Sequence, residues 1–137
     1  MNSKMSKLIQ FNDTQTIQSS IITLGNFDGI HLGHKSLIDS FIMKKNKIKN
    51  TSSILITFNP HTQTILNKNN NLKLIITHED KIKLLKGYDI DYISIINFDD
   101  DFSKLSAEDF IELIIRKYNP KSIIIGYDSK FGYKGRG

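Results

Sequence analysis

An α/β fold, a parallel sheet with helices on both faces, is predicted by three observations. Four short runs, Ile21 to Leu24, Ile54 to Phe58, Tyr92 to Ile96 and Ser122 to Ile125, are Ile-rich and bounded by Gly, Asn, Asp or Pro, as buried parallel strands are. Helical patterns of apolar residues alternate with them. The residues with the most distinctive chemistry follow the runs directly, and ligands of such sheets bind beyond the carboxyl ends of the strands.

The first run enters the turn Gly25-Asn26-Phe27-Asp28-Gly29-Ile30-His31-Leu32-Gly33-His34. A helix from about Gly33 to Lys45 follows, with Leu37, Ile38, Phe41 and Ile42 on one apolar face. Lys44, Lys45, Lys47 and Lys49 form a solvated helix end, where cations complement the dipole. After the second run, the Asn67 to Asn71 tract is a polar surface loop. A second helix is announced by Thr77 and Asp80 as a reciprocal cap, buries Ile82, Leu84 and Leu85, and stops at Gly87. Ser106 and Asp109 repeat the capping pattern ahead of a helix that turns Phe110, Leu113 and Ile114 inward and ends before Pro120. Three βα units are visible, joined by right-handed crossovers.

A chain of 137 residues, 39% hydrophobic and 24% charged, is one domain's worth of sequence with globular composition. No window approaches the ~18 consecutive apolar residues of a membrane span. With no cysteine, disulfides and thiolate metal sites are excluded, and no signal pattern opens the chain, so a cytoplasmic location is expected. A net charge of +5 raises nucleic acid as a partner, yet the lysines are scattered, with no aromatic interleaving and no reading helix. Neither a nucleic acid nor a membrane partner is expected.

The turn after the first run suits an anion. Glycines at 25, 29 and 33 let the backbone bend and approach a ligand closely. The N–H groups and positive dipole end of a helix starting near Gly33 face the same pocket as the imidazoles of His31 and His34. It is not a P-loop, which needs four residues between its glycines and lysine directly after the second. G-x-G-x-x-G is also absent. Two histidines without a third ligand do not make a zinc site, and no metal ligands are assigned.

H-x-G-H after a buried strand, preceded by G-N-F-D-G, resembles the signature of the nucleotidylyltransferase superfamily. Within it the chain is similar to the FAD synthetase module of bacterial riboflavin kinase/FAD synthetases. Thr57-Phe58-Asn59-Pro60-His61 resembles the T-F-x-P-H-P of that family. Phe102 to Phe110 resembles its F-S-x-L-S-x-E-x-F, and Ile125 to Gly132 its I-G-x-D-F-x-F-G. Thr77 to Lys86 resembles its threonine-led helix. Thr62, Ser129 and Gly135 depart from the pattern. The likeness runs from about Ile21 to Gly137 and implies a Rossmann-like nucleotidylyltransferase fold over residues 1–137. It also implies incompleteness at the C-terminus, because the serine/threonine and arginine segment that follows in the family, and the riboflavin kinase domain, are not part of this sequence.

The implied reaction is transfer of AMP from ATP to FMN, giving FAD and pyrophosphate, with Mg²⁺ accompanying ATP. The resemblance implies His31, His34 and Asn26 as catalytic residues. It places Gly25, Asn26, Phe27, Asp28, Gly29, His31, Gly33, His34, Gly126 and Asp128 against ATP, and Phe58, Pro60, His61 and Phe131 against the flavin. Read from the residues alone, several of these stay open. Phe58, Pro60 and His61 also suit a strand end with Phe58 in the core. Asp128 also suits a turn cap, Phe131 packing under its loop, and Asp99 to Asp101 either Mg²⁺ or a solvated helix approach. Two further readings are a noncatalytic nucleotide- or flavin-binding module and a nucleotidylyltransferase acting on another phosphorylated substrate. The oligomeric state has no signal.

Overall fold

The fold was analysed in a computed structural model that describes residues 6–25, 27, 32–59, 78–97, 102 and 104–125. Five strands form one sheet: β1 (Lys7–Gln10), β2 (Ser20–Leu24), β3 (Ser52–Phe58), β4 (Tyr92–Ile96) and β5 (Pro120–Ile125). Their order is β1-β4-β3-β2-β5 and every pairing is parallel. Three helices are described: α1 (Leu32–Asn46), α2 (His78–Lys86) and α3 (Ala107–Tyr118). Four strands and all three helices fall where the sequence places them, within two residues at each end.

Strand alternation sorts the core into two layers. Ile21, Leu55, Ile93 and Ile95 point to one face, where Ile38 and Phe41 of α1 and Ile82 and Leu85 of α2 cover them. Ile22, Leu24, Ile54, Ile56 and Ile96 point to the other, under Phe110, Ile114 and Tyr118 of α3. Burial on both faces explains why β2, β3 and β4 read as Ile-rich runs, broken only by small hydroxyl residues such as Thr23, Thr57 and Ser94. β5 is an edge strand and opens on Pro120, where a missing N–H costs the ladder least. A register shift between Ser20 and Ile21 marks a bulge as β5 joins β2.

α3 begins as its N-cap predicts, and its C-cap was not foreseen in the sequence. The N-cap Ser106 is extended and its Oγ accepts from the Asp109 N–H at 3.1 Å. Asn119 closes the helix in the left-handed region at φ 42°, donating its N–H to the Ile115 carbonyl at 2.9 Å. α2 ends one residue before Gly87, whose N–H reaches the Leu84 carbonyl at 3.1 Å. The Thr77 cap, the Asn67 to Asn71 tract and Asp99 to Asp101 lie outside the described residues.

Two inward-facing assignments are corrected. Leu84 is 50% exposed, and the position beside Ile82 and Leu85 on the buried face of α2 belongs to Lys81. Leu113 is 38% exposed while Tyr118 is fully buried, because three-and-four spacing from Phe110 and Ile114 leads to residue 118. β1 was not foreseen in the sequence. It places Phe11 edge-on to Phe102, Phe110 and Tyr118, with ring centroids 5.9 to 6.1 Å apart. The aromatics at both ends of the Phe102 to Phe110 motif thus serve packing, in edge-to-face geometry that adds to simple burial.

Tyr118 also carries a buried hydroxyl, paired with Ser94 Oγ at 2.7 Å. Burial pushes its pKa from 10.0 to about 12; the Ser94 hydrogen bond opposes the shift and the charge on Asp13 adds to it. Below pH 10 the phenol is neutral folded and unfolded. Between the two values the unfolded chain ionises and the folded chain does not, so stability falls with rising pH by roughly 2 to 3 kcal/mol in all. Denaturant midpoints measured from pH 8 to 12 are expected to show this slope in the native chain and not in Tyr118→Phe. At neutral pH that variant loses about 1 kcal/mol with the hydrogen bond.

Candidate active site

Because all strands are parallel, the carboxyl ends of β2, β3, β4 and β5 lie along one edge of the sheet. Leu24 pairs with Ile125 on one side and with Ile56 on the other, and Phe58 pairs with Ile96. The ladder continues one residue past the strands: the Gly25 N–H donates to the Ile56 carbonyl at 3.1 Å and the Asn59 N–H to the Ile96 carbonyl at 2.9 Å. Beyond it the Asn59, Asn97 and Gln10 side chains are linked by hydrogen bonds of 3.3 and 3.2 Å. The opposite edge is tied differently. Asp91 accepts from the Ser53 N–H and hydroxyl at 2.9 and 3.2 Å, and Lys45 lies 3.6 Å from it.

The order of the strands reverses at β2. From it the chain passes through α1 to β3 on one side, while on its other side lies β5, reached from α3 on the opposite face. Such a reversal opens a crevice at the carboxyl ends of the two strands. The sequence predicts one crevice gathering the turns after the four strands; the strand ends lie along one edge, and most of the turn residues lie outside the described residues. The chain leaves β2 at Leu24 and β5 at Ile125, which are register partners.

Gly25 and Phe27 shape the entry to the first turn. Phe27 is fully buried beside Ile38 and Phe41 and sits at φ 57°, a left-handed conformation that bulky residues adopt only when their surroundings impose it. A Cβ on Gly25 would stand 3.2 Å from two atoms of the Phe27 ring. Glycine at 25 is therefore the counterpart of phenylalanine at 27. Gly25→Ala is expected to cost about 1 to 3 kcal/mol by overpacking, read as a lower urea midpoint with an unchanged slope.

Leu32 opens α1, and His34 is its third residue. Of the three described helices, α1 alone has no acidic residue in its first turn; α2 carries Glu79 and Asp80 there, and α3 carries Glu108 and Asp109. Carboxylates compete with other anions for a helix N-terminus, and this one is left without them. Gly33 and His34 lie in that first turn. Phe58 is half-buried and packs on the core layer under α3, the strand-end reading of that residue. Asn26, Asp28, Gly29, His31, Pro60, His61, Gly126, Asp128 and Phe131 lie outside the described residues.

One residue at this edge was missed in the sequence. Lys81, 1% exposed, donates from Nζ to Thr57 Oγ1 at 3.1 Å and to the Phe58 carbonyl at 2.8 Å. Its place four residues before Leu85 puts it on the buried face, but a lysine there reads as a solvated residue by hydropathy, so the sequence gives no sign of a buried cation. No described helix is long and apolar enough to cross a membrane.

Comparison with known proteins agrees with this architecture. The FAD synthetase family matches residues 13–137. The bifunctional riboflavin kinase/FMN adenylyltransferase of Buchnera aphidicola subsp. Schizaphis graminum is 43% identical over 120 residues, 87% of this chain and 38% of the relative. The protein of the same name from Bacillus subtilis is 31% identical over 119 residues, 86% of this chain and 37% of the relative. The chain thus spans less than two-fifths of the length of these two relatives. A crystal structure described as a macrolide-efflux protein from Streptococcus pneumoniae superposes with a TM-score of 0.74 at 25% identity, covering 97% of this chain and 44% of that one. A parallel sheet whose strand order reverses at a glycine-rich turn, matched by one family over nearly its whole length, places the chain in the FAD synthetase family.

Proposed function

We propose that the chain forms a nucleotidylyltransferase domain that transfers AMP from ATP to FMN, giving FAD and pyrophosphate, in the cytoplasm. The observation that carries the reading is the family match over residues 13–137, joined to the position of the Gly25 to His34 turn at the reversal of strand order. In this reading an FMN phosphate oxygen attacks the α-phosphorus of ATP in line. A new P–O bond forms as the bond to the β-phosphate bridging oxygen breaks, and the electron pair leaves with pyrophosphate. No protein nucleophile is required.

His31 and His34 donate hydrogen bonds to the α- and β-phosphates, and Asn26 holds phosphate or the attacking group. Gly29 and Gly33 leave room for the nucleotide, Gly25 with Phe27 and Asp28 sets the loop, and Gly126 and Asp128 contact the nucleoside. Phe58, Pro60, His61 and Phe131 form the flavin end, with Phe58 acting from the layer that it packs against. Mg²⁺ would accompany ATP and neutralise charge on its phosphates, a role that suits a metal that dehydrates reluctantly.

Incubation of the chain with ATP, FMN and Mg²⁺, followed by chromatography, is expected to yield FAD. FAD absent with FMN fluorescence still quenched would make it a flavin-binding module. Absence of both would leave a nucleotidylyltransferase of another phosphorylated substrate.

A further inference from the structure

An ammonium group taken out of water costs several kcal/mol unless good partners replace the lost hydration, and the first turn of a helix is the wrong end for a cation. Lys81 meets both penalties. It is the fourth residue of α2 and 1% exposed, in the layer that also holds Ile82 and Leu85. A methionine would fill the same space without either cost. Among the contacts of the ammonium is a grip on the end of β3. Its bonds to Thr57 Oγ1 at 3.1 Å and the Phe58 carbonyl at 2.8 Å hold the last two residues of the strand. Thr57 is itself fully buried, so this anchor is set in the core.

We propose that Lys81 is a positioning residue for the flavin end of the site, clamping Thr57 and Phe58 at the carboxyl end of β3 and so fixing Phe58, the described residue of that end. The inference rests on the flavin reading above. Lys81 touches the wall through backbone and hydroxyl and need not touch substrate. Its loss therefore acts on flavin binding and leaves the nucleotide end, built on β2 and α1, as it was. A misplacement of about 1 Å in a positioned group is enough for effects of roughly 100-fold.

The test compares the native chain with Lys81→Met, Thr57→Val and Thr57→Ser, reading FMN affinity by fluorescence quenching, ATP affinity by calorimetry and folding by circular dichroism. Lys81→Met is expected to weaken FMN binding about 10- to 100-fold with ATP binding unchanged. Thr57→Val is expected to do so less strongly, and Thr57→Ser, which keeps the hydroxyl, to bind FMN as the native chain does. Should Lys81→Met fail to fold, the Thr57 pair carries the comparison. Native-like FMN affinity in folded Lys81→Met, or an equal loss for FMN and ATP, would overturn this inference and leave the flavin reading standing. Absence of FMN binding by the native chain would overturn both.

Discussion

Phe27→Ala is expected to lower stability by about 3 to 5 kcal/mol, the cost of emptying a fully buried aromatic site. The ring lies in the layer with Ile38 and Phe41, against the open side of Gly25 at 3.2 Å from an idealised Cβ. No relief offsets the loss, because alanine inherits the left-handed backbone at φ 57° as unwillingly as phenylalanine does. Phe41→Ala removes a ring of the same size from the same layer, also fully buried. Chemical denaturation is expected to give the two variants similar losses. Nucleotide affinity of the folded fraction should separate them: Phe27→Ala weakens it, since the ring anchors the turn that leaves β2, whereas Phe41→Ala leaves it near native. Equal ATP affinities in the two would show that the anchoring of Phe27 is structural alone.

Removal of the imidazoles is the second large effect. In His31→Ala or His34→Ala, FAD formation is expected to slow about 10²- to 10³-fold, the usual consequence of removing one donor aimed at charge that develops during reaction. The loss should fall mainly on kcat, with KM for ATP little changed, because the added charge on the phosphate oxygens exists only in the transition state. The double variant should lose less than the product of the two single effects, as groups serving one charge act together. Single-turnover rates with saturating ATP and FMN measure this. A double variant that forms FAD at the native rate would remove both histidines from the mechanism.

The fold was legible wherever burial on both faces writes itself into the chain. β2, β3 and β4 are Ile-rich because both faces are covered, and the N-cap of α3 is spelled by Ser106 and Asp109. β1 was not legible. Of Lys7, Leu8, Ile9 and Gln10 only Ile9 is buried, so an edge strand with one inward residue leaves no period to detect, and the ring contacts of Phe11 disappeared with it. Lys81 and Leu84 exchanged places for a related reason: hydropathy ranks a leucine inward and a lysine outward, and only the position of Thr57 and the Phe58 carbonyl in space reverses that order. The candidate site was legible as residue types in a turn. What sequence could not give is which strands stand beside that turn, since the pairing of β2 with β5 joins residues about a hundred positions apart and is decided by the packing of α3.

Asn119 is the sole residue between the last turn of α3 and the first residue of β5. Its φ of 42° and the 2.6 Å hydrogen bond from its side-chain amide to the Gln18 carbonyl fix that corner. Such a hinge has no slack: helix and strand form a single lever, and β5 cannot slide without dragging the aromatic layer beneath α3. The β5 side of the crevice is therefore its rigid jaw.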